Sequence, residues 1–386
     1  MNSGRRTSLV AIFLLLTMVL AAMVWGSCRE REGCNLRKAT PLPTPTPMPT
    51  PTLSPMDAID PCLVADVTFL AEGARPDWHG DLIAFDRRTD GIFEIYTMKS
   101  DGTGVKCLTC NKPGAPPGHK GNPAFSPDGR FIALTGENEN GTHDFDEEPG
   151  KGVNNDLWIM TSDGNNYYRM TSVPRDDGGT LHPHFSHDGT KLTWTEMYEA
   201  SKLTPAKVFG SWKLKIADFS VAGGVPTLSN IKEYIPGDDV FYENHGLSPD
   251  GRSWIFSSNF RRGVSVSDLN IYTMNLGGGG ITQLTTSDYN EHAQYSPDGN
   301  KIVWIHGPSK GFESDLWLMD SDSTDKLRLT FFNDPTSPDY AGELVMVGDN
   351  AWNGEGSGVV FVLVSGTKEK QQQHNLYILD FEGSCG

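Results

Sequence analysis

The chain has 386 residues, 37% of them hydrophobic, which is enough for a large core and too patterned for a disordered chain. Its 49 acidic against 32 basic side chains give a formal charge of -17, and no Lys/Arg cluster offers the basic face that a nucleic-acid backbone needs to displace counterions. Nucleic acid is thereby excluded as a partner, whereas an acidic surface suits an exported domain or one that collects cations.

Arg5 and Arg6 precede the apolar run LVAIFLLLTMVLAAMVWG, Leu9 to Gly26, an arrangement that reads as an export signal. The run is slightly short of the about 20 residues of a relaxed membrane span, yet long enough to anchor. Trp25-Gly26-Ser27-Cys28 resembles a bacterial lipoprotein cleavage box in which Cys28 carries the lipid, with Trp25 where an aliphatic residue is preferred. Residues 1–28 are therefore the addressing segment, whether cleaved, lipidated or kept as an anchor. Residues 29–61 form a linker containing TPLPTPTPMPTPTLSP, Thr40 to Pro55. Proline at nearly every second position forbids helix and ladder hydrogen bonds, so this is an extended spacer rising about 3.1 Å per residue.

The folded domain spans 62–386 and is written as a repeat. Ser126-Pro127-Asp128-Gly129, Ser186-His187-Asp188-Gly189, Ser248-Pro249-Asp250-Gly251 and Ser296-Pro297-Asp298-Gly299 each precede an alternating apolar run. Asp-Gly marks a tight turn, and the alternation marks a strand. A second phrase recurs as EIYTMKSDG from Glu94, DLWIMTSDG from Asp156, KLKIADFS from Lys213, NIYTMNLGG from Asn270, DLWLMDSDS from Asp315 and NLYILDF from Asn375. After the first five come VKCLT, YYRMT, IKEYI, ITQLT and KLRLT. The unit is strand a, the Ser-Pro-Asp-Gly turn, strand b, a variable loop, strand c, a turn and strand d. Four antiparallel strands at this period describe a propeller blade. Units begin near Arg75, Asn122, His182, Asn244, His292 and Asp349, which predicts an all-β, six-bladed β-propeller. The sixth unit lacks a strand d, and Asp66-Val67-Thr68-Phe69-Leu70 is available to supply it and close the ring. Closure would bring Cys62 to Cys385, where a disulfide would be worth about 4 kcal/mol on chain-entropy grounds. Cys107 and Cys110 are expected to pair locally, which leaves Cys34 alone if Cys28 is lipidated, or paired with Cys28 if it is not.

FSPDGRFIAL…DLWIM and YSPDGNKIVW…DLWLM resemble the propeller repeats of the TolB family, the PD-type relatives of WD repeats, over roughly residues 62–381. That resemblance implies an exported six-bladed domain serving as a scaffold for proteins or ligands. TolB carries an extra N-terminal domain where this chain has an anchor and spacer, so its particular partners do not carry over.

Strand a lines a propeller's channel, and here those strands hold Arg75, Asn122, His182 and His184, Glu243 and His245, Glu291, His292 and Gln294, and Asp349. They are the expected ligand-binding residues of the channel mouth. His182, His184 and His292 are candidate ligands for a divalent metal, the one cofactor the sequence suggests. The competing expectation is that these side chains only tie blade to blade. Counted back from the turn serine, His182 and His292 share a register and His245 is shifted by one. Glu137 to Asp156 is an acidic insertion whose Asp144, Asp146, Glu147 and Glu148 are expected to be solvated, with calcium as the alternative. No hydrolase elbow, phosphate loop or catalytic residue is assigned. The expected function is a surface or periplasmic binding module for a protein, peptide or glycan, with the membrane as partner of the N-terminal segment. The alternative is a channel-metal lyase or hydrolase on an extracellular polysaccharide, by analogy with oligogalacturonate lyases, which are propellers with a histidine-bound channel metal.

Overall fold

The computed structural model describes residues 64–382 apart from 140, 202–209, 238–239, 261–267, 309–312 and 367–371. The apolar run Leu9–Gly26, Cys28, Cys34 and the expected Cys62–Cys385 pair lie outside these residues. The described residues form six four-stranded antiparallel sheets, and no helix among them is long and apolar enough to cross a membrane.

Strand a is Ala74–His79, Lys120–Phe125, Gly179–Phe185, Tyr242–Leu247, Tyr289–Tyr295 and Met346–Trp352 in blades 1 to 6. Each packs against strand a of the next blade, and the sixth returns to the first, so the six enclose a channel. The last blade is completed as expected. Asp66–Glu72 lies antiparallel to Gln373–Asp380, with Val67 opposite Leu379 and Phe69 opposite Tyr377. Closure leaves no blade edge open inside the ring.

Two local devices explain why the sequence repeats. In each Ser-x-Asp-Gly turn the serine hydroxyl donates to the aspartate, at 2.6 Å in Ser126, Ser186 and Ser248 and 2.5 Å in Ser296. The same oxygen accepts the amide that opens strand b, from Phe131, Lys191, Ser253 and Lys301. Glycine follows because the turn needs φ of 68 to 76°. The second device clasps the outer strands. Thr109, Thr171, Thr285 and Thr330 each donate to a residue in the first three of strand c (Glu94, Asp156, Asn270 and Asp315). Each threonine oxygen also accepts the next amide of strand c. Strand d can therefore be only two or three residues long in those blades. Blade 3 has no such clasp among the described residues. It relies on length instead, with strand c of 12 residues and strand d of 10.

Apolar clusters fill the space between neighbouring sheets, with Trp194, Trp212, Trp254 and Trp304 at most 2% exposed. Seam residues Leu379, Phe361 and Val359 pack with Val303 and Leu316 of blade 5, and with Val67 of the closing strand. Leu379→Ala should thus destabilise the domain by about 2–5 kcal/mol. Urea denaturation checks this, and a loss below about 1 kcal/mol would show that the seam does not hold the ring.

Candidate functional site

Every strand a carries a register slip against its strand b. The slips fall between Ala74 and Asp77, Gly121 and Ala124, Leu181 and His184, Asn244 and Leu247, Glu291 and Gln294, and Val347 and Asn350. At four of these bulges the residue is left-handed: Arg75 (φ 47°), Asn122 (51°), His182 (46°) and His292 (50°). A bulge re-aims its side chain, and here all four line the channel cavity. Blade 4 places its left-handed residue at Gly246 (φ 89°) instead. That difference accounts for the one-residue shift of His245, which still reaches the channel.

Three imidazoles form a triangle, with ring centroids 6.3 Å apart for His182–His245, 5.7 Å for His182–His292 and 5.9 Å for His245–His292. His182 Nε2 lies 2.6 Å from Glu243 Oε1, and its Nδ1 lies 3.5 Å from Asp349 Oδ1 and 3.4 Å from the Asn122 amide. His292 Nδ1 lies 3.4 Å from Asp349 Oδ1 and 3.7 Å from Glu243 Oε1, while its Nε2 faces Glu291 at 3.4 Å. His245 Nε2 meets Ser257 Oγ at 2.6 Å. Beneath them Tyr289 donates its hydroxyl to Glu291. Arg75 clamps Asp86 through two nitrogens at 2.7 and 2.6 Å, and Asp86 also accepts the Asn122 amide across the blade boundary.

Burial sets the charge states. It holds His182 below its ordinary value and His245 well below it, the latter helped by the neighbouring rings. His184 is pushed down to about 3 by burial and by His182. Glu243 is pushed up to about 7 by burial, and Glu291 well above the carboxylate range by burial and by Glu243. Burial pulls Asp349 upward too, but His292, His182 and Arg75 outweigh it and keep it ionised. The channel therefore presents His182, His184 and His245 as neutral imidazoles beside one firm carboxylate and an acid pair that retains a proton near neutral pH.

Of the expected residues, Arg75, Asn122, His182, His184, His245, His292, Gln294 and Asp349 line the cavity. Glu243 and Glu291 stand behind the histidines they contact. Of the metal candidates, His182 and His292 converge with Asp349, and His292 also with Glu243 and His245, all within 4.8 Å. His184 stands outside both groups, lying against Gly246 of blade 4. Sequence reasoning missed Asp86, Ser257 and Tyr289. Tyr289 alone carried a signal, since two residues along a strand returns to the same face.

The acidic insertion is solvated only in part, with Asp144 exposed and Asp146 and Glu148 half-buried. Glu137 and Glu147 are buried, and the loop folds around them as a 3-10 turn, Phe145–Glu147, capped by Asp144. Glu137 accepts the His119 and His143 amides; Glu147 accepts those of Thr142 and Asp144 and the Asn154 side chain. The loop lies over strand a of blade 2. A Cβ at Gly121 would come within 2.2 Å of Pro149 and 2.6 Å of an Asp86 oxygen, so the close approach requires glycine there. Cys107 and Cys110 stand at bonding distance, with Cα atoms 5.7 Å apart. The letters Gly-x-Ser-x-Gly do occur, as Gly307-Pro308-Ser309-Lys310-Gly311, and 309–311 lie outside the described residues.

Asp77, at the channel mouth, accepts the Phe125 amide of the next blade at 2.5 Å, and burial pushes it up to about 6. Its folded form holds a proton that the unfolded chain releases near pH 4, so its contribution to stability is lost as pH rises through about 6. Asp77→Asn should flatten the stability profile between about pH 4 and 6, measured by denaturation midpoints. An unchanged slope would refute the assignment.

No family model matches the chain. Dipeptidyl-peptidase 5 of Porphyromonas endodontalis is 28% identical over 259 residues, 58% of this chain and 34% of that protein. The Porphyromonas gingivalis protein of the same name is 33% identical over 79 residues, 19% of this chain and 12% of that one. The chain thus spans about a third or less of the curated relatives it matches. TolB from Acinetobacter baumannii superposes with a TM-score of 0.50 at 20% identity, covering 78% of this chain and 65% of that one. By fold, this chain is a TolB-like six-bladed β-propeller.

Proposed function

We propose that the chain is an exported, membrane-tethered propeller acting as a binding module, which takes a polar extracellular ligand, peptide or glycan, in a hollow beside the channel. One contrast carries this reading. The channel cavity is about 30 Å³, room for a water or two, while the hollow next to it is about 380 Å³, in the range of ligand pockets. Arg87, Arg88, Phe93, Phe145, Glu148 and His374 line the hollow. Phe145 is 62% exposed yet held on the capped turn, with Lys151 over its ring at 4.0 Å. An exposed aromatic on a rigid support beside convergent charges suits recognition. His374 is pushed down to about 4 by burial, then by Arg75 and Lys151, and so meets a ligand neutral. Export rests on Arg5, Arg6 and the run from Leu9 to Gly26.

The peptidase activity named for the curated relatives is not carried over, because this chain spans about a third or less of their length. A second reading, a lyase acting on an acidic glycan, is favoured by the proton-sharing Glu243–Glu291 pair. Incubation with oligogalacturonates separates the two, since release of an unsaturated product would select the lyase.

Phe145→Ala should leave the melting temperature unchanged and weaken capture of the best hit from a glycan array or peptide library at least about tenfold. Unchanged affinity would rule out the hollow. In a bacterial host, protease added outside the inner membrane should digest the propeller while a cytoplasmic marker survives, and fatty-acid labelling lost in Cys28→Ala would assign the tether. Protection of the propeller alongside the marker would refute export.

A further inference from the structure

We propose that the propeller channel binds one divalent first-row transition-metal ion, held by His182, His292 and Asp349, with His245 completing the shell and Glu243 orienting His182 from outside it. The first argument is distance. A tetrahedral site with arms of about 2.0–2.1 Å has edges of about 3.4 Å. His292 Nδ1 and His182 Nδ1 stand 3.4 and 3.5 Å from Asp349 Oδ1. The second is orientation. A metal-binding imidazole characteristically gives its far nitrogen to a carboxylate or another polar group, which fixes the ring. His182 Nε2 is engaged by Glu243 and His245 Nε2 by Ser257, each at 2.6 Å, so that Nδ1 is the nitrogen left on each ring. The Asn122 amide also faces His182 Nδ1, but at 3.4 Å its hold is weak.

Charge points the same way. Glu243, Glu291 and Asp349 converge here, and the one cationic side chain lining the cavity, among the described residues, is Arg75, already clamped on Asp86. The cavity is the size of an ion rather than of an organic ligand. Left-handed backbone at His182 and His292 costs about 1–3 kcal/mol each, a strain of the kind that persists where a site is held in place. Mixed imidazole and carboxylate donors select zinc, manganese, iron or their neighbours over calcium and magnesium. This site is separate from the hollow around Phe145, so either proposal can fail without the other.

The test uses the purified protein, stripped with chelator and re-exposed singly to Zn²⁺, Mn²⁺ and Co²⁺. Elemental analysis should find about one ion per chain for at least one of them, and Co²⁺ should develop a visible ligand-field band with nitrogen donors. His292→Ala and Asp349→Asn should each weaken binding by more than about 100-fold, Ser257→Ala by about tenfold through His245, and the surface change His187→Ala not at all. Circular dichroism verifies the fold of each variant. Failure of the stripped wild-type protein to take up any of the three metals, which needs no variant, overturns the proposal. So does binding that survives in a folded His292→Ala or Asp349→Asn protein.

Discussion

A strand that ran straight along the channel would show alternate side chains to the axis and bury the rest in its own blade. The slip in each innermost strand breaks that alternation, and four of the six slips use a left-handed residue to turn a side chain inward. Arg75, Asn122, His182 and His292 are thereby collected from four blades onto one axis. No single sheet could assemble such a set. The channel's chemistry is thus a property of the ring, and each of those four blades contributes one aimed group and the strain of aiming it.

The blades can tolerate that strain because their outer parts are secured cheaply and locally. The serine of the turn fastens strand a to strand b, and the threonine clasp fastens strand d to the head of strand c. Both act within a short stretch of chain and need no long-range contact. Large tryptophans then weld sheet to sheet. Rigidity outside permits irregularity inside, and the loops between b and c are left to vary.

The same division explains what could be read from the residues alone. Ser-Pro-Asp-Gly and Asp-Leu-Trp are local devices, so blade number, strand order and the borrowed closing strand were all legible. His182 and His292 shared a register because they occupy the same bulge. His245 looked displaced because glycine at 246 moved the bulge, a backbone choice with no trace in spacing. Asp349 was placed at the mouth, but its convergence with His182 and His292 depends on the seam between blades 6 and 1. The acidic insertion was read only in part, for a related reason. Glu137 and Glu147 are buried on amide donors supplied by the turn they organise, and composition cannot distinguish that from a charged loop in water.

Strand Asp66–Glu72 finds its partner only in Gln373–Asp380, beyond all the other strands of the ring. Five blades can assemble in order as the polypeptide appears, but the sixth must wait for Gln373–Asp380. Until then the nascent ring has two raw edges, each able to pair with a neighbour's. Completion is a single late event that locks every blade at once, and a truncated copy would remain an open, adhesive arc.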